Sequence, residues 1–136
     1  MIIDANNLIL GRICTYAAKQ ALLGNTVDII NCEKAIITGK RTSIFEHYDT
    51  RRERGYIYKG PHFSRMPDRL VKRTVRGMLP YKQERGKEAL KKVKCYLGVP
   101  KEFEGKKFEV LKAAHMSKMT SVKYIKIGEL AQHLGK

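Results

Sequence analysis

Cysteine is sparse in this chain and badly placed for cross-linking. Cys14, Cys32 and Cys95 are odd in number and widely spaced, and none forms a Cys-x-x-Cys pair. That pattern indicates neither a disulfide framework nor a zinc knuckle. Each thiol sits among apolar residues, where free cysteine behaves as a small hydrophobe, so a reduced, cytosolic setting is expected. Long apolar runs are missing too: none approaches the roughly 18 residues that a membrane-spanning helix needs. The opening residues MIIDANN lack the basic segment and apolar stretch of a secretory signal, and none is expected. Neither repeats nor low-complexity tracts occur, and no convincing linker divides the chain. Residues 1–136 are therefore expected to form one domain with a real core.

Negative charge is the largest deficit. Asp and Glu number 13 against 28 Lys and Arg, a net charge of +15. A compact body with that surplus repels itself, and a polyanion is the natural partner to relieve it. Nucleic acid leads, with an anionic membrane surface second. The surplus is concentrated: residues 40–94 hold 17 Lys/Arg and 6 Asp/Glu, a net +11. This is a basic middle region and not an evenly spread solubilising coat.

What is present alternates between strand and helix. Ile2-Ile3 opens a short strand, and GRICTYAAKQALL (11–23) has helical spacing, stopped by Gly24-Asn25. TVDIIN (26–31) is rich in β-branched residues and reads as a buried strand. A second short apolar run, Ala35 to Thr38, ends at Gly39, and a helix follows from about Lys40 to Arg54 with Ile44, Phe45 and Tyr48 on one face. Residues 55–67, GYIYKGPHFSRMP, read as an extended loop of aromatics and cations lying against something. In the helix opened by Asp68, Val71, Val75, Met78 and Leu79 form an apolar stripe, with Arg69, Lys72, Arg73 and Arg76 opposite and Pro80 as the stop. A basic helix at 84–92 leads to a strand at 93–97. Beyond a loop at 98–107, Phe108, Val110 and Leu111 are expected to return to the core, and a strand at 123–127 feeds a last short helix. The fold class expected is α/β: a three-layer α/β/α domain on a mostly parallel sheet of about four strands, with basic extensions.

No catalytic constellation emerges. The histidines, His47, His62, His115 and His133, are scattered without ligand-spaced partners, and the serines lie in no nucleophile-elbow context. Glu46, Asp49 and Glu53 interleave with Arg51, Arg52 and Arg54, which fits ordinary helix-surface pairing. The stretch IITGKRTS (36–43) resembles the end of a phosphate-binding loop. That loop needs a glycine where this chain has Lys34 and a Ser or Thr where it has Arg41. A nucleotide-dependent kinase built on this stretch is the rival reading; a turn whose cations grip a nucleic-acid phosphate is the milder one. Sequence-specific DNA binding is disfavoured, because no helix-turn-helix or zinc-finger pattern is evident.

Two segments carry a family resemblance. Residues 11–41, GRICTYAAKQALLGNTVDIINCEKAIITGKR, resemble one signature of the thirteenth protein family of the large ribosomal subunit. Residues 65–100, with Arg-x-Pro and Val-x-Gly-Met-Leu-Pro segments, resemble a second. Together they cover about half the chain in matching order, and the middle loop and short C-terminal region resemble the archaeal branch. The resemblance implies a structural ribosomal protein in the cytoplasm with no catalysis and no cofactor. Implied partners are large-subunit ribosomal RNA and neighbouring ribosomal proteins, without a membrane, a small-molecule substrate or a homo-oligomer. Carried onto matching positions, the RNA contacts are Lys40, Arg41, Arg65, Arg69, Lys72, Arg73 and Arg76. Arg51, Arg52, Arg54, Lys82 and Arg85 join them on charge alone.

Overall fold

Apolar residues at positions 10, 13, 14, 17, 18 and 21 recur at helical spacing, and in the computed structural model they bury one side of helix α1 (Leu10–Leu22). The structure describes residues 1–56, 58–60 and 62–135. Small side chains at Ala17, Ala18 and Ala21 let other elements approach this helix closely. Before it comes β1 (Ile2–Asp4); after it come β2 (Val27–Ile30), β3 (Ile36–Thr38), α2 (Arg41–Glu53), α3 (Pro67–Gly77) and α4 (Glu84–Lys91). The order closes with β4 (Val93–Cys95), β5 (Tyr124–Lys126) and α5 (Ile127–Leu134).

β1, β2 and β4 form a parallel sheet in that order, with Ile3 opposite Ile29 and Ile29 opposite Cys95. The two-residue pleat places Ile3, Val27, Ile29 and Val93 on one side, all fully buried. The alternate row runs from fully buried at Ile30, through half-buried at Ile2, Asp4 and Asp28, to exposed at Lys94. Both parallel connections step the same way across the sheet, so right-handed crossovers put their helices on the same face. The contacts agree: α1 packs against α3 and α4, and α3 and α4 both reach β4. A fourth parallel position lies outside β1, where the Glu109 amide donates to the Ile2 carbonyl at 2.8 Å. The α/β class with a mostly parallel sheet is thus the fold observed. β3 and β5 form a separate antiparallel pair, joined to the core where the Ile36 amide donates to the Leu8 carbonyl at 2.9 Å.

Two details differ from the sequence reading. Met78 is exposed and the apolar side of α3 is made instead by Leu70, Val71 and Val75, with Leu79 buried beyond the helix end. Val110 is exposed as well, while Leu111 packs against the core. Among the described residues, no helix is long and apolar enough to cross a membrane.

The turn between α3 and α4 is tight. A Cβ built on Gly86 would fall on the carbonyl of Pro80, whereas one on Gly77 meets nothing within 4 Å. Gly86→Ala is expected to lower the unfolding free energy by about 1–3 kcal/mol, the usual cost of overpacking. Gly77→Ala, on helical backbone with open space, is expected to be neutral or to add up to about 1 kcal/mol. Thermal melts of the two variants read the contrast directly.

Candidate nucleic-acid interface

Helix α3 begins with Pro67 in its first turn, where the missing N–H costs nothing, and with Asp68 complementing the helix dipole. Its apolar side enters the core, which turns Arg69, Lys72, Arg73 and Arg76 to the opposite side. These four line one cavity of about 290 Å³ with His62, Ser64 and Leu90. Among the described residues, no carboxylate lies within ion-pair distance of any of them. Among the described residues, nothing acidic therefore neutralises their positive charge. Arg73 instead lies over the Phe63 ring at 4.2 Å, and Arg76 lies 5.2 Å from the centre of Tyr81.

A larger cleft of about 410 Å³ adjoins this ridge and shares Arg73 with it. Tyr48 and Arg51 of α2, Phe63, and Leu70 and Thr74 of α3 line it above a floor that includes Ile36 and Ile37. Tyr48 meets Phe63 edge-on with ring centres 5.9 Å apart. Burial pushes the Tyr48 hydroxyl above its usual pKa, with the Arg51 guanidinium opposing, so the group stays neutral and able to donate a hydrogen bond. Arg51 and Arg54 also border a shallow site with His47 and Thr50.

The remaining cations fall into two groups. Lys40, Lys82 and Arg85 are exposed, with Lys40 at the N-cap of α2. Arg52 and Arg65 instead act within the fold, donating to the Leu134 carbonyl at 3.1 Å and the Gly135 carbonyl at 3.3 Å. Those carbonyls end α5, where a helix accumulates negative partial charge and attracts cations. Arg41 pairs with Glu129 at 3.4 Å and lies 5.2 Å from the Phe45 ring centre. Asp49, expected to pair only along its own helix, contacts Arg52 at 3.9 Å but also binds His133 at 2.7 Å. His133 in turn stacks on Phe45 with ring centres 4.1 Å apart. Two further cations escaped the sequence reading: Arg12 donates to the Ala113 carbonyl at 2.8 Å, tying α1 to the segment after Glu109, and Lys92 donates to the Gly24 carbonyl at 3.2 Å.

The stretch 36–43 forms β3, a turn at Gly39 with φ of +134°, and the start of α2. Lys34, where a phosphate loop needs its first glycine, belongs to a single 3₁₀ turn, Cys32–Lys34. Two of the three thiols, Cys14 and Cys32, are buried. Burial, with a smaller contribution from Cys32, pushes Cys14 up to about 12. A hydrogen bond with Cys95, then burial, pushes Cys32 upward as well.

The described residues form an α/β core that carries a one-sided cationic ridge on α3. The family model described as ribosomal protein L13 matches residues 1–102. Proteins named large ribosomal subunit protein uL13 resemble the chain over nearly its whole length. The one from Methanococcoides burtonii is 46% identical, covering 98% of this chain and 96% of its own length. Those from Methanosarcina barkeri and Haloarcula marismortui are 46% and 40% identical, covering 98% and 99% of this chain and 96% and 90% of their own lengths. The chain belongs to the ribosomal protein L13 family, a structural, non-enzymatic ribosomal family. The kinase reading of IITGKRTS falls with that assignment.

Two measurements follow. Arg52→Ala and Arg65→Ala are each expected to cost about 1 kcal/mol by freeing the end of α5. Arg69→Ala and Arg76→Ala should stay within about 0.5 kcal/mol of the parent, as surface changes usually do; urea unfolding compares the four. Because its thiol stays protonated below about pH 12, Cys14 should resist iodoacetamide at pH 8 until the protein unfolds. Mass spectrometry of the labelled peptides reports this.

Proposed function

We propose that this chain is a structural constituent of the large ribosomal subunit, in the cytoplasm, that binds large-subunit ribosomal RNA and supports subunit assembly. It acts as one domain whose basic middle region, residues 40–94, faces the RNA while neighbouring ribosomal proteins meet it elsewhere. The observation that carries the reading is the α3 ridge: Arg69, Lys72, Arg73 and Arg76 line one cavity and, among the described residues, have no acidic partner. Arginine suits phosphate because its planar fork binds two oxygens at once. Lys40, Arg51, Arg54, Lys82 and Arg85 extend the surface on either side. Arg41, Arg52 and Arg65 bind RNA with whatever donors their fold-internal contacts leave free.

In this mechanism the cations displace counterions condensed on the RNA, so affinity falls steeply with salt. Recognition rests on backbone shape and phosphate position, as is usual for folded RNA, with base reading secondary. The test is a salt titration of rRNA-fragment binding by the parent and by a triple variant, Arg69→Ala, Arg73→Ala and Arg76→Ala. Each lost phosphate contact should flatten the log–log slope by about 0.7–0.9, so the triple variant should lose about 2–3. Its circular dichroism spectrum should stay that of the parent. An unchanged slope would remove α3 from the interface.

A further inference from the structure

The cleft between α2 and α3 has a construction that backbone contacts alone do not require. Its volume, about 410 Å³, lies within the range of about 300–1,000 Å³ typical of small-ligand sites. Two aromatic side chains, Tyr48 and Phe63, line it beside apolar residues including Ile37 and Leu70, and two arginines, Arg51 and Arg73, border it. The Arg73 guanidinium lies over the Phe63 ring, 4.2 Å from its centre, so a flat cation and an aromatic ring stand together at the cleft. Hydroxyl groups at Thr38 and Thr74 supply polar contacts among otherwise apolar walls. Thr74 spends its proton on the Leu70 carbonyl at 3.1 Å, so its oxygen is left to accept. The cleft then opens at Arg73 onto the neighbouring cavity lined by Arg69, Lys72 and Arg76.

We infer that this cleft holds one unpaired nucleobase, turned out of the ribosomal RNA, while Arg51 and the α3 ridge take the phosphates on either side of it. The inference rests on the proposed RNA binding and deepens it. A flat heteroaromatic ring with an anion on each side matches the combination present: apolar and aromatic walls, a guanidinium plane and a cationic rim. Unpaired bases bind proteins in just this manner, stacked on aromatic rings or arginine planes. An apolar side chain from a neighbouring protein would match the floor and leave both arginines facing nothing.

The chemistry of a base with its phosphate could also come from a free nucleotide, so the experiment includes both. Binding of the full chain is measured to two RNA hairpins of equal length. One is fully paired; the other has a single bulged nucleotide, taken in turn as A, C, G and U. Adenosine monophosphate serves as competitor. Two plugged variants are measured beside the parent, Gly77→Leu and Gly11→Leu. Both glycines line the cleft, and a Cβ at either meets nothing within 4 Å.

For the parent, at least one bulged hairpin should bind about tenfold more tightly than the paired one, the scale expected from stacking a single base. In either plugged variant that ratio should fall to about one. Equal, salt-sensitive binding of both hairpins by the parent overturns the cleft assignment and leaves the phosphate-binding surface intact. Failure to bind either hairpin overturns the RNA reading itself. Displacement by adenosine monophosphate at concentrations near the hairpin's own dissociation constant makes a free nucleotide the ligand and overturns residence of an RNA base. A neighbouring protein's side chain seated in the cleft of an assembled large subunit would likewise overturn it.

Discussion

Leu70, Val71 and Val75 press α3 into the core, and the candidate interface depends on that contact. One helix does two opposed jobs: its inner side helps close the core against α1 and β4, and its outer side gathers four cations at helical spacing. Burying each apolar side chain is worth about 1.5–3 kcal/mol, while exposed like charges near one another repel by about 1 kcal/mol or less through water and salt. The apolar contact therefore holds the basic ridge in place before any partner arrives. A loop of the same composition would relax away from its own charge.

The second constraint is that the cations divide their work. Arg52 and Arg65 satisfy the carbonyl end of α5, Arg41 engages Glu129, and Arg12 ties α1 to Ala113. The α3 cations make no such ion pairs among the described residues. A net charge read from composition does not separate these roles. The geometry does: cations that support the fold meet carbonyls or carboxylates, and those facing outward meet rings or solvent.

Much of the fold was legible because its signals are local. The alanine-rich stripe and the Gly24-Asn25 stop marked α1 to within about a residue, and the β-branched run at 26–31 marked β2. The basic stripe of α3 was equally plain. What escaped lies at long range. The run Phe108 to Leu111 reads only as a return to the core, yet the Glu109 amide extends the parallel sheet beside β1. Arg52 and Arg65 read as surface cations because their partners are backbone carbonyls 82 and 70 residues away, and a carbonyl leaves no mark in a sequence. The cleft was hidden for the same reason: α2, the Phe63 segment and α3 each contribute a wall, and only folding brings them together.

The pairing of β3 with β5 has a consequence in time. The parallel sheet has its three strands once Cys95 has been made, but β3 finds its partner only when Tyr124 to Lys126 emerge. Translation adds about 5–20 residues per second, so that strand edge waits for seconds on a nascent chain. α2, which follows β3 and carries one wall of the cleft, also packs against α5, which is made later still. The parallel half of the molecule is thus built early and the α2 side is fastened late. Order of synthesis, and not only final geometry, sets when the whole basic surface exists.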